Sequence, residues 1–182
     1  FWAVPTSNYN VYPRNVGVVI ILHSSLSNSL YAAQPCQVIV PYRAISLSFA
    51  PATRSKFHVL GLYAGQSPDP LLFTQPLLQH ITQHTTEVDG VMPYLLMLGD
   101  YNDISSSLDT TNAQRIINPE GLTTQLETHT PLLDLYRTLH PERCEYTYIS
   151  PQDTSQSRID NIYVTPNWMV DSHTQHPLAG ID

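Results

Sequence analysis

Short runs of apolar, β-branched residues alternate with polar segments along most of the chain. Three such runs predict strands in the first third, over Val16–Leu22, Val38–Phe49 and Lys56–Tyr63. Because no helical pattern separates these runs, we expect the three strands to form an antiparallel set. The second run contains Pro41, which predicts a bend or a sheet edge at that position.

The pattern changes to a helical spacing after the third run. Apolar residues recur at three- and four-residue intervals over 70–85, which predicts a helix interrupted by Pro76. A second helix is predicted over Thr130–His140, with Thr130 as its N-cap and a proline at its first position. The polar segment Asn102–Asn118 predicts a loop.

Three further apolar runs predict strands in the second half, over Tyr94–Leu98, Glu145–Ile149 and Arg158–Val164. A short polar loop joins the last two runs, which predicts a hairpin. Many strands with few helices between them favour a two-sheet α/β sandwich over a doubly wound sheet.

Composition limits the classes to which the chain can belong. The 182 residues are 42% hydrophobic and 13% charged, which argues against disorder and predicts one domain with a substantial core. No apolar run approaches the roughly 20 residues of a membrane helix, so no membrane partner is expected. Two cysteines, Cys36 and Cys144, are too few for a disulfide framework or a zinc site, so we expect a reducing, intracellular location.

Acidic residues are concentrated in the second half of the chain. Residues 1–86 contain one acid, Asp69, and the other fourteen of the fifteen lie in 87–182. An acidic half is not by itself a surface that binds nucleic acid. It is either a solvated acidic surface or a region that gathers divalent cations, since these ions prefer oxygen ligands.

The most informative chemistry follows the strand Tyr94–Leu98, where Gly99 is predicted to turn the backbone off the sheet. Asp100 and Asn102 then lie at the strand end, where a carboxylate and an amide can hold a metal ion or an attacking water. The alternative is a simple Asx turn, because Asp and Asn are common turn residues.

Two other candidate residues lie in predicted strands. Tyr63 closes the third strand, and Asp160 interrupts the apolar run 158–164. Alternation places Asp160 and Ile162 on one face, and a carboxylate on a buried face needs a partner or a nearby cation. Asp160 is therefore a candidate site residue, with an ion pair to Arg158 as the alternative.

Five segments, in this order, resemble the endonuclease/exonuclease/phosphatase superfamily, and in particular the apurinic-endonuclease-like domain of non-LTR retrotransposons. The resemblance covers nearly the whole chain. Gly-Asp-x-Asn alone is a weak signal, but its order and spacing with the other segments make the set specific. The segments are 60–63 (Leu-Gly-Leu-Tyr), 99–102 (Gly-Asp-Tyr-Asn), 132–141, 146–151 and 157–164 (Ser-Arg-Ile-Asp-Asn-Ile-Tyr-Val).

The resemblance implies an α/β (α+β) four-layered sandwich, in which two mostly antiparallel β-sheets are flanked by helices. It implies hydrolysis of phosphodiesters by in-line attack of water, with Mg²⁺ as cofactor and Mn²⁺ as its substitute. The implied substrate is DNA, nicked for a retrotransposon. A reverse transcriptase domain in the same parent polypeptide and access to the nucleus are expected with it.

The resemblance also implies a role for each matched residue. By position, Asp100 orients or deprotonates the attacking water with help from Asn102, and Tyr63 contacts the scissile phosphate. Asp160 orients a histidine that is expected to follow Asp182. The implied metal ligands are Asp182, Asp100 and Asn102. The residues implied to lie near the DNA are Thr147 and Arg158.

The chain also departs from the family pattern. No Glu precedes Glu87, so the acidic metal ligand upstream of the early strands is missing, and the sequence stops at Asp182, before the expected histidine. Gly65 and Gln66 stand where the family has Pro-Asn. We therefore expect one domain over 1–182 that lacks its first strands and its final Asp-His strand, and that is inactive or nearly so in isolation.

Two alternative functions stay open on the sequence alone. One is another phosphoesterase of the same fold, acting on an inositol phosphate, a lipid headgroup or RNA. The other is a catalytically dead remnant that acts at most as a binding domain. The fold does not separate these functions, but the Asp-x-Tyr-Arg-x-x-His-Pro segment at 134–141 favours the retrotransposon branch.

Overall fold

The computed structural model describes most of the chain, over residues 17–21, 36–49, 56–65, 70–115 and 117–168. The predicted strand Val16–Leu22 is therefore described only over 17–21. The predicted metal ligand Asp182 lies outside the described residues.

A mixed sheet of six strands forms the centre of the described part, and two further strands form a separate hairpin. The strands are β1 (Gln37–Val40), β2 (Ala44–Phe49), β3 (Phe57–Tyr63), β4 (Tyr94–Asp100), β5 (Leu133–Asp134), β6 (Tyr148–Ile149), β7 (Gln156–Ser157) and β8 (Asp160–Val164). Across the large sheet they follow the order β1-β2-β3-β4-β8-β5, and β6 pairs with β7. Every neighbouring pair is antiparallel except β3 and β4, which are parallel.

In the described part of the chain, the sheets are accompanied by the helices α1 (Gln75–Thr85), α2 (Leu122–His129) and α3 (Leu135–Leu139). A π-helical turn, Pro70–Thr74, leads into α1, and a 3₁₀ turn, Ser107–Asp109, lies in the loop after β4. The predicted α/β class is confirmed by these mostly antiparallel strands and their helices. None of the helices in the described ranges is long and apolar enough to span a membrane.

The helical pattern over 70–85 is confirmed, but its proline acts differently from the prediction. Pro76 lies in the first turn of α1, where a missing backbone N–H removes no helical hydrogen bond, so it does not interrupt α1. One face of α1 packs on the sheet and fully buries Leu77 and Ile81. The two residues are four positions apart, which is the spacing of one helix face.

The predicted helix over Thr130–His140 is wrong in its start. Residues 133–134 form β5, and α3 begins only after Asp134, whose Oδ1 accepts a 3.0 Å hydrogen bond from the backbone N–H of Arg137. Asp134 is therefore the N-cap instead of Thr130. The sequence pattern does not predict α2, because only two of its eight residues are large and apolar.

The two faces of the large sheet carry separate apolar clusters. The smaller cluster contains Leu47, Phe49 and Val59, and Ile20 packs against it. The larger cluster lies between the opposite face and the helices. Its fully buried members include Leu60, Leu77, Ile81, Leu95, Met97, Tyr101, Leu126 and Tyr163.

Residues 17–21 cross the face of the sheet that carries the smaller cluster. They approach β3 at Gly61, where an added Cβ atom would lie 2.9 Å from Cγ1 of Val18 and 3.4 Å from Cγ1 of Ile20. The absence of a side chain at Gly61 thus lets this segment pack on the sheet. A groove of about 580 Å³ continues along the same face and reaches Tyr63 and Gly99.

Three histidines meet where α1 packs against β3. The rings of His80 and His84 stack with centroids 4.0 Å apart, and the ring of His58 meets His84 edge-on at 4.5 Å. Burial and the neighbouring His84 and Lys56 lower the pKa of His58 to about 4. Burial and the two other histidines lower the pKa of His80 to about 4. His58 and His80 therefore stay neutral in the folded chain near neutral pH.

We expect the free energy of unfolding to fall as the pH drops from about 6.5 towards about 4. In this pH window His58 and His80 bind protons in the unfolded chain but not in the folded chain. Each histidine therefore lowers the free energy of unfolding by up to about 1.4 kcal/mol per pH unit. Urea unfolding across this range measures the slope. His80→Leu should make the slope shallower, and an identical slope in this variant would contradict the prediction.

Candidate active site

Three of the predicted site residues lie side by side at one end of the large sheet. Tyr63 at the end of β3 pairs in register with Asp100 at the end of β4, and Asp100 pairs with Asp160 at the start of β8. Residues that oppose each other in register point to the same face of a sheet, and neighbouring strands lie about 4.8 Å apart. The phenol and the two carboxylates therefore form one row, which we call the strand-end row.

Gly99 does not turn the backbone off the sheet, contrary to the prediction. It pairs with Leu62 on one side and Asn161 on the other, and β4 continues to Asp100. Its φ of +150° and its contact with β3 explain the glycine, since an added Cβ atom would lie 1.9 Å from the carbonyl oxygen of Leu62. Glycine at this position keeps β3 and β4 paired directly beside the row.

The segment after β4 forms an Asx turn, which is the alternative prediction for Asp100 and Asn102. Oδ1 of Asp100 accepts a 2.8 Å hydrogen bond from the backbone N–H of Asn102, and Oδ2 accepts one of 3.2 Å from its side-chain amide. Asn102 adopts a left-handed φ of 50°, which asparagine tolerates better than most residues. The turn and a functional carboxylate are therefore compatible, because the turn fixes the orientation of Asp100 at the strand end.

The surroundings of Asp100 shift the pKa of its carboxyl group in opposite directions. Burial raises the pKa of its carboxyl above the usual value, and the negative charge of Asp160 adds to this rise. The two hydrogen bonds from Asn102 lower the pKa and partly offset the effect. The net rise means that Asp100 holds a proton more strongly than an ordinary aspartate does, which suits a group that accepts a proton from water.

Asp160 is exposed, which corrects the expectation of a buried carboxylate. Alternation does place Asp160 and Ile162 on one face, but this face is the open one, whereas Asn161 and Tyr163 point into the protein. The predicted ion pair with Arg158 does not form in the described structure, because Arg158 pairs with other carboxylates. The Asp160 carboxylate faces solvent beside Asp100.

Thr147 supports the backbone of β8 at Asp160. Its Oγ1 accepts hydrogen bonds of 3.1 Å from the backbone N–H groups of both Ile159 and Asp160. The backbone N–H of Tyr101 donates to the carbonyl oxygen of Ile159 at 2.7 Å from the other side. The exposed side chain of Thr147 thus has a structural role, and its predicted contact with DNA stays a prediction.

Arg158 is buried and paired within the protein, and its predicted place near the DNA stays a prediction. Only 4% of the residue is exposed. Its Nε donates to Asp109 at 2.9 Å, and Nη2 donates to Asp134 at 2.6 Å. Nη1 donates to Asn161, and the guanidinium lies 5.1 Å from the ring centre of Tyr136. The side chain ties the start of β8 to the 3₁₀ turn and to the cap of α3.

Sequence reasoning misses Asp109 as a partner of Arg158. Asp109 is 1% exposed and also pairs with Arg137. It lies in the polar segment that predicts a loop, 49 residues from Arg158, so neither spacing nor pattern points to it. A buried ion pair between distant segments has no local signal in a sequence.

The oxygen donors of the row fit a hard divalent cation. Mg²⁺ is usually held by one or two carboxylates and keeps several waters, and Asp100 and Asp160 place two carboxylates next to each other. The side-chain amide nitrogen of Asn102 bonds to Asp100, so its amide oxygen is the atom that remains for a ligand. Within the described ranges, no group of three or more His, Cys, Asp or Glu side chains could hold a metal ion.

Comparison with known proteins finds similar chains by sequence and by structure. No family model matches the sequence. The chain is 26% identical over 156 residues to the transposon TX1 uncharacterized 149 kDa protein of Xenopus laevis, covering 84% of this chain and 11% of that protein. The endonuclease domain of TRAS1, a telomere-specific non-LTR retrotransposon, superposes with a TM-score of 0.49 at 12% identity, covering 72% of this chain and 52% of that one.

A second solved structure decides the fold. The AP endonuclease LMAP from Leishmania major superposes with a TM-score of 0.56 at 16% identity, covering 68% of this chain and 46% of that one. The chain has the endonuclease/exonuclease/phosphatase fold. This confirms the fold that the resemblance of the sequence segments implies. The chain spans less than half the length of the Leishmania endonuclease and about a tenth of the length of the transposon protein.

We expect Gly99→Ala to destabilise this endonuclease-like fold by at least about 2 kcal/mol, because alanine meets both an unfavourable φ and the carbonyl of Leu62. Urea unfolding measures the change. Gly17→Ala is the matched control, since nothing lies within 4 Å of a Cβ atom added there. Equal stability of the two variants would contradict the account of Gly99.

Proposed function

We propose that this chain is part of a Mg²⁺-dependent endonuclease that nicks DNA for a retrotransposon. The observation that carries the proposal is the pairing of Tyr63, Asp100 and Asp160 at one end of the three central strands. The three residues come from motifs that are 37 and 60 residues apart in the sequence, and the fold brings them together. The relative in Xenopus laevis is a transposon protein, which supports the retrotransposon context.

In the proposed mechanism, Asp100 orients the attacking water and accepts its proton, and Asn102 holds the Asp100 carboxylate in place. The hydroxyl of Tyr63 donates a hydrogen bond to the scissile phosphate. When bound at the carboxylates of the row, with Asp182 as a further proposed ligand, Mg²⁺ supplies the charge stabilisation that a phosphodiester needs. Asp160 orients a histidine that the longer protein contributes.

The whole activity is proposed for the longer protein. Residues 1–86 contain no Glu, so the acidic ligand that the family resemblance implies upstream is not among them. We infer that the 182 residues alone have little or no nuclease activity. A reverse transcriptase domain in the same parent polypeptide and access to chromosomal DNA in the nucleus belong to the same proposal, supported by the transposon relative.

A plasmid-nicking assay tests the function. We expect a longer protein that includes this chain and its flanking coding sequence to nick supercoiled DNA, and EDTA to abolish nicking. Asp100→Ala should lower the rate about 10²- to 10⁴-fold, because it removes the group that accepts the proton. Glu120→Ala is the control, since Glu120 is an exposed carboxylate outside the strand-end row.

Nicking by Asp100→Ala at the rate of the Glu120→Ala control would contradict the proposal. Cleavage of RNA or of an inositol phosphate in preference to DNA would indicate the alternative phosphoesterase. A protein that binds DNA but cleaves none of these substrates would match the catalytically dead remnant. Robust nicking by the 182 residues alone would contradict the inferred inactivity of the isolated chain.

A further inference from the structure

Arg43 extends the strand-end row by one strand. It directly precedes β2, and the backbone N–H of Tyr63 donates to its carbonyl oxygen at 2.8 Å. Ala44 pairs with Leu62 in the antiparallel register, so Arg43 lies opposite Tyr63. Opposed residues of an antiparallel pair share a face. The extended row is therefore arginine, tyrosine, aspartate and aspartate, from the residue before β2 and from β3, β4 and β8.

The guanidinium of Arg43 is held against the backbone that follows Tyr63. Its centre lies 5.6 Å from the middle of the Tyr63 ring, and Nη1 donates a hydrogen bond to the carbonyl oxygen of Ala64. The backbone N–H of Ala64 in turn donates to the carbonyl oxygen of Asp100 at 2.8 Å. Arg43 thus lies against the ring of Tyr63, and hydrogen bonds of the Ala64 backbone link it to the backbone of Asp100.

Gly65 makes room for this arginine. An added Cβ atom at Gly65 would lie 2.0 Å from Nη1 of Arg43, and the φ of Gly65 is +70°, which proline cannot adopt. Gly65 is one of the two positions where this chain departs from the Pro-Asn of the family. The departure and the arginine therefore belong together, because the guanidinium occupies the space that a side chain would need.

Pairing with carboxylates distinguishes Arg43 from Arg158 and Arg137. Arg158 and Arg137 both pair with Asp109, whereas Arg43 has no ion pair within the described part of the chain. A guanidinium carries five N–H donors, and the bond to Ala64 uses one of them. A planar guanidinium binds two oxygens of one phosphate through parallel hydrogen bonds. Without such a cation, the negative charges of the two carboxylates in the row repel a phosphate.

We propose that Arg43 binds a backbone phosphate of the nucleic acid at the Tyr63 end of the strand-end row, and that it holds the Tyr63 ring in place. The proposal rests on the proposed function, since it assumes that a phosphodiester lies along the row. It assigns the positive charge of the site to a residue that the sequence motifs do not include.

The salt dependence of DNA binding tests Arg43. Binding of the 182-residue chain to a short fluorescein-labelled duplex is measured by anisotropy in EDTA at several salt concentrations. We expect Arg43→Gln to reduce the slope of log K against log salt by about 0.9, the value for one lost phosphate contact. From about 50 to about 200 mM salt, the variant then loses about 3.5-fold less affinity than the wild type.

Two variants separate a phosphate contact from a structural effect. Arg43→Lys keeps the charge, so its slope should equal that of the wild type. Lys56→Gln removes one charge just before the opposite end of β3, about 23 Å from Tyr63 at roughly 3.3 Å per residue. Its slope should also equal that of the wild type.

The outcomes distinguish this inference from the function on which it rests. If the wild-type chain does not bind DNA, the inference about Arg43 is overturned, whereas the proposed function is decided separately by the nicking assay on the longer protein. If the wild type binds and Arg43→Gln keeps the full slope, only the inference about Arg43 is overturned. An equal loss of slope in Arg43→Lys, or in Lys56→Gln, would likewise overturn it.

Discussion

The site depends on the register of the three central strands. A shift of one residue in any of them would turn its side chains to the other face of the sheet. With the observed register, Leu62 and Tyr163 lie in the core, while Tyr63 and Asp160 lie on the opposite, open face. Burial of the apolar side chains on one face therefore fixes the position of the strand-end row on the other face, because the same strands carry both. Gly99 contributes by allowing β4 to approach β3 without a clash.

Buried charges hold the strand that carries Asp160. The guanidinium of Arg158 is satisfied by Asp109, Asp134 and Asn161, which come from a turn, a helix cap and β8 itself. Such a network adds little net stability, but loss of one partner leaves an unpaired buried charge and costs about 3–5 kcal/mol. The network therefore links the residues beside Asp160 to the 3₁₀ turn and to the cap of α3.

Local features of the fold and site follow from the sequence, whereas long-range ones do not. The apolar run before Gly99 predicts β4, and the helical spacing predicts α1. Alternation correctly places Asp160 and Ile162 on the same face of β8. Periodicity does not indicate which face is buried, so the prediction that this face is the buried one is wrong. The partners of Arg158 and the placement of Arg43 opposite Tyr63 depend on strand register, which no local pattern contains. The stretch Gly99 to Asn102 is both an Asx turn and a strand end that carries the proposed catalytic carboxylate of Asp100.

The pKa of Asp100, measured by carbon-13 NMR in the wild type and in Asp160→Asn, reports directly on the strand-end row. We expect the pKa of Asp100 to lie above its usual value and to fall when the neighbouring negative charge of Asp160 is removed. Asp153→Asn, a change at an exposed carboxylate in the hairpin loop, should leave it unchanged. An Asp100 pKa that does not respond to Asp160→Asn would contradict the central claim that the two carboxylates are neighbours.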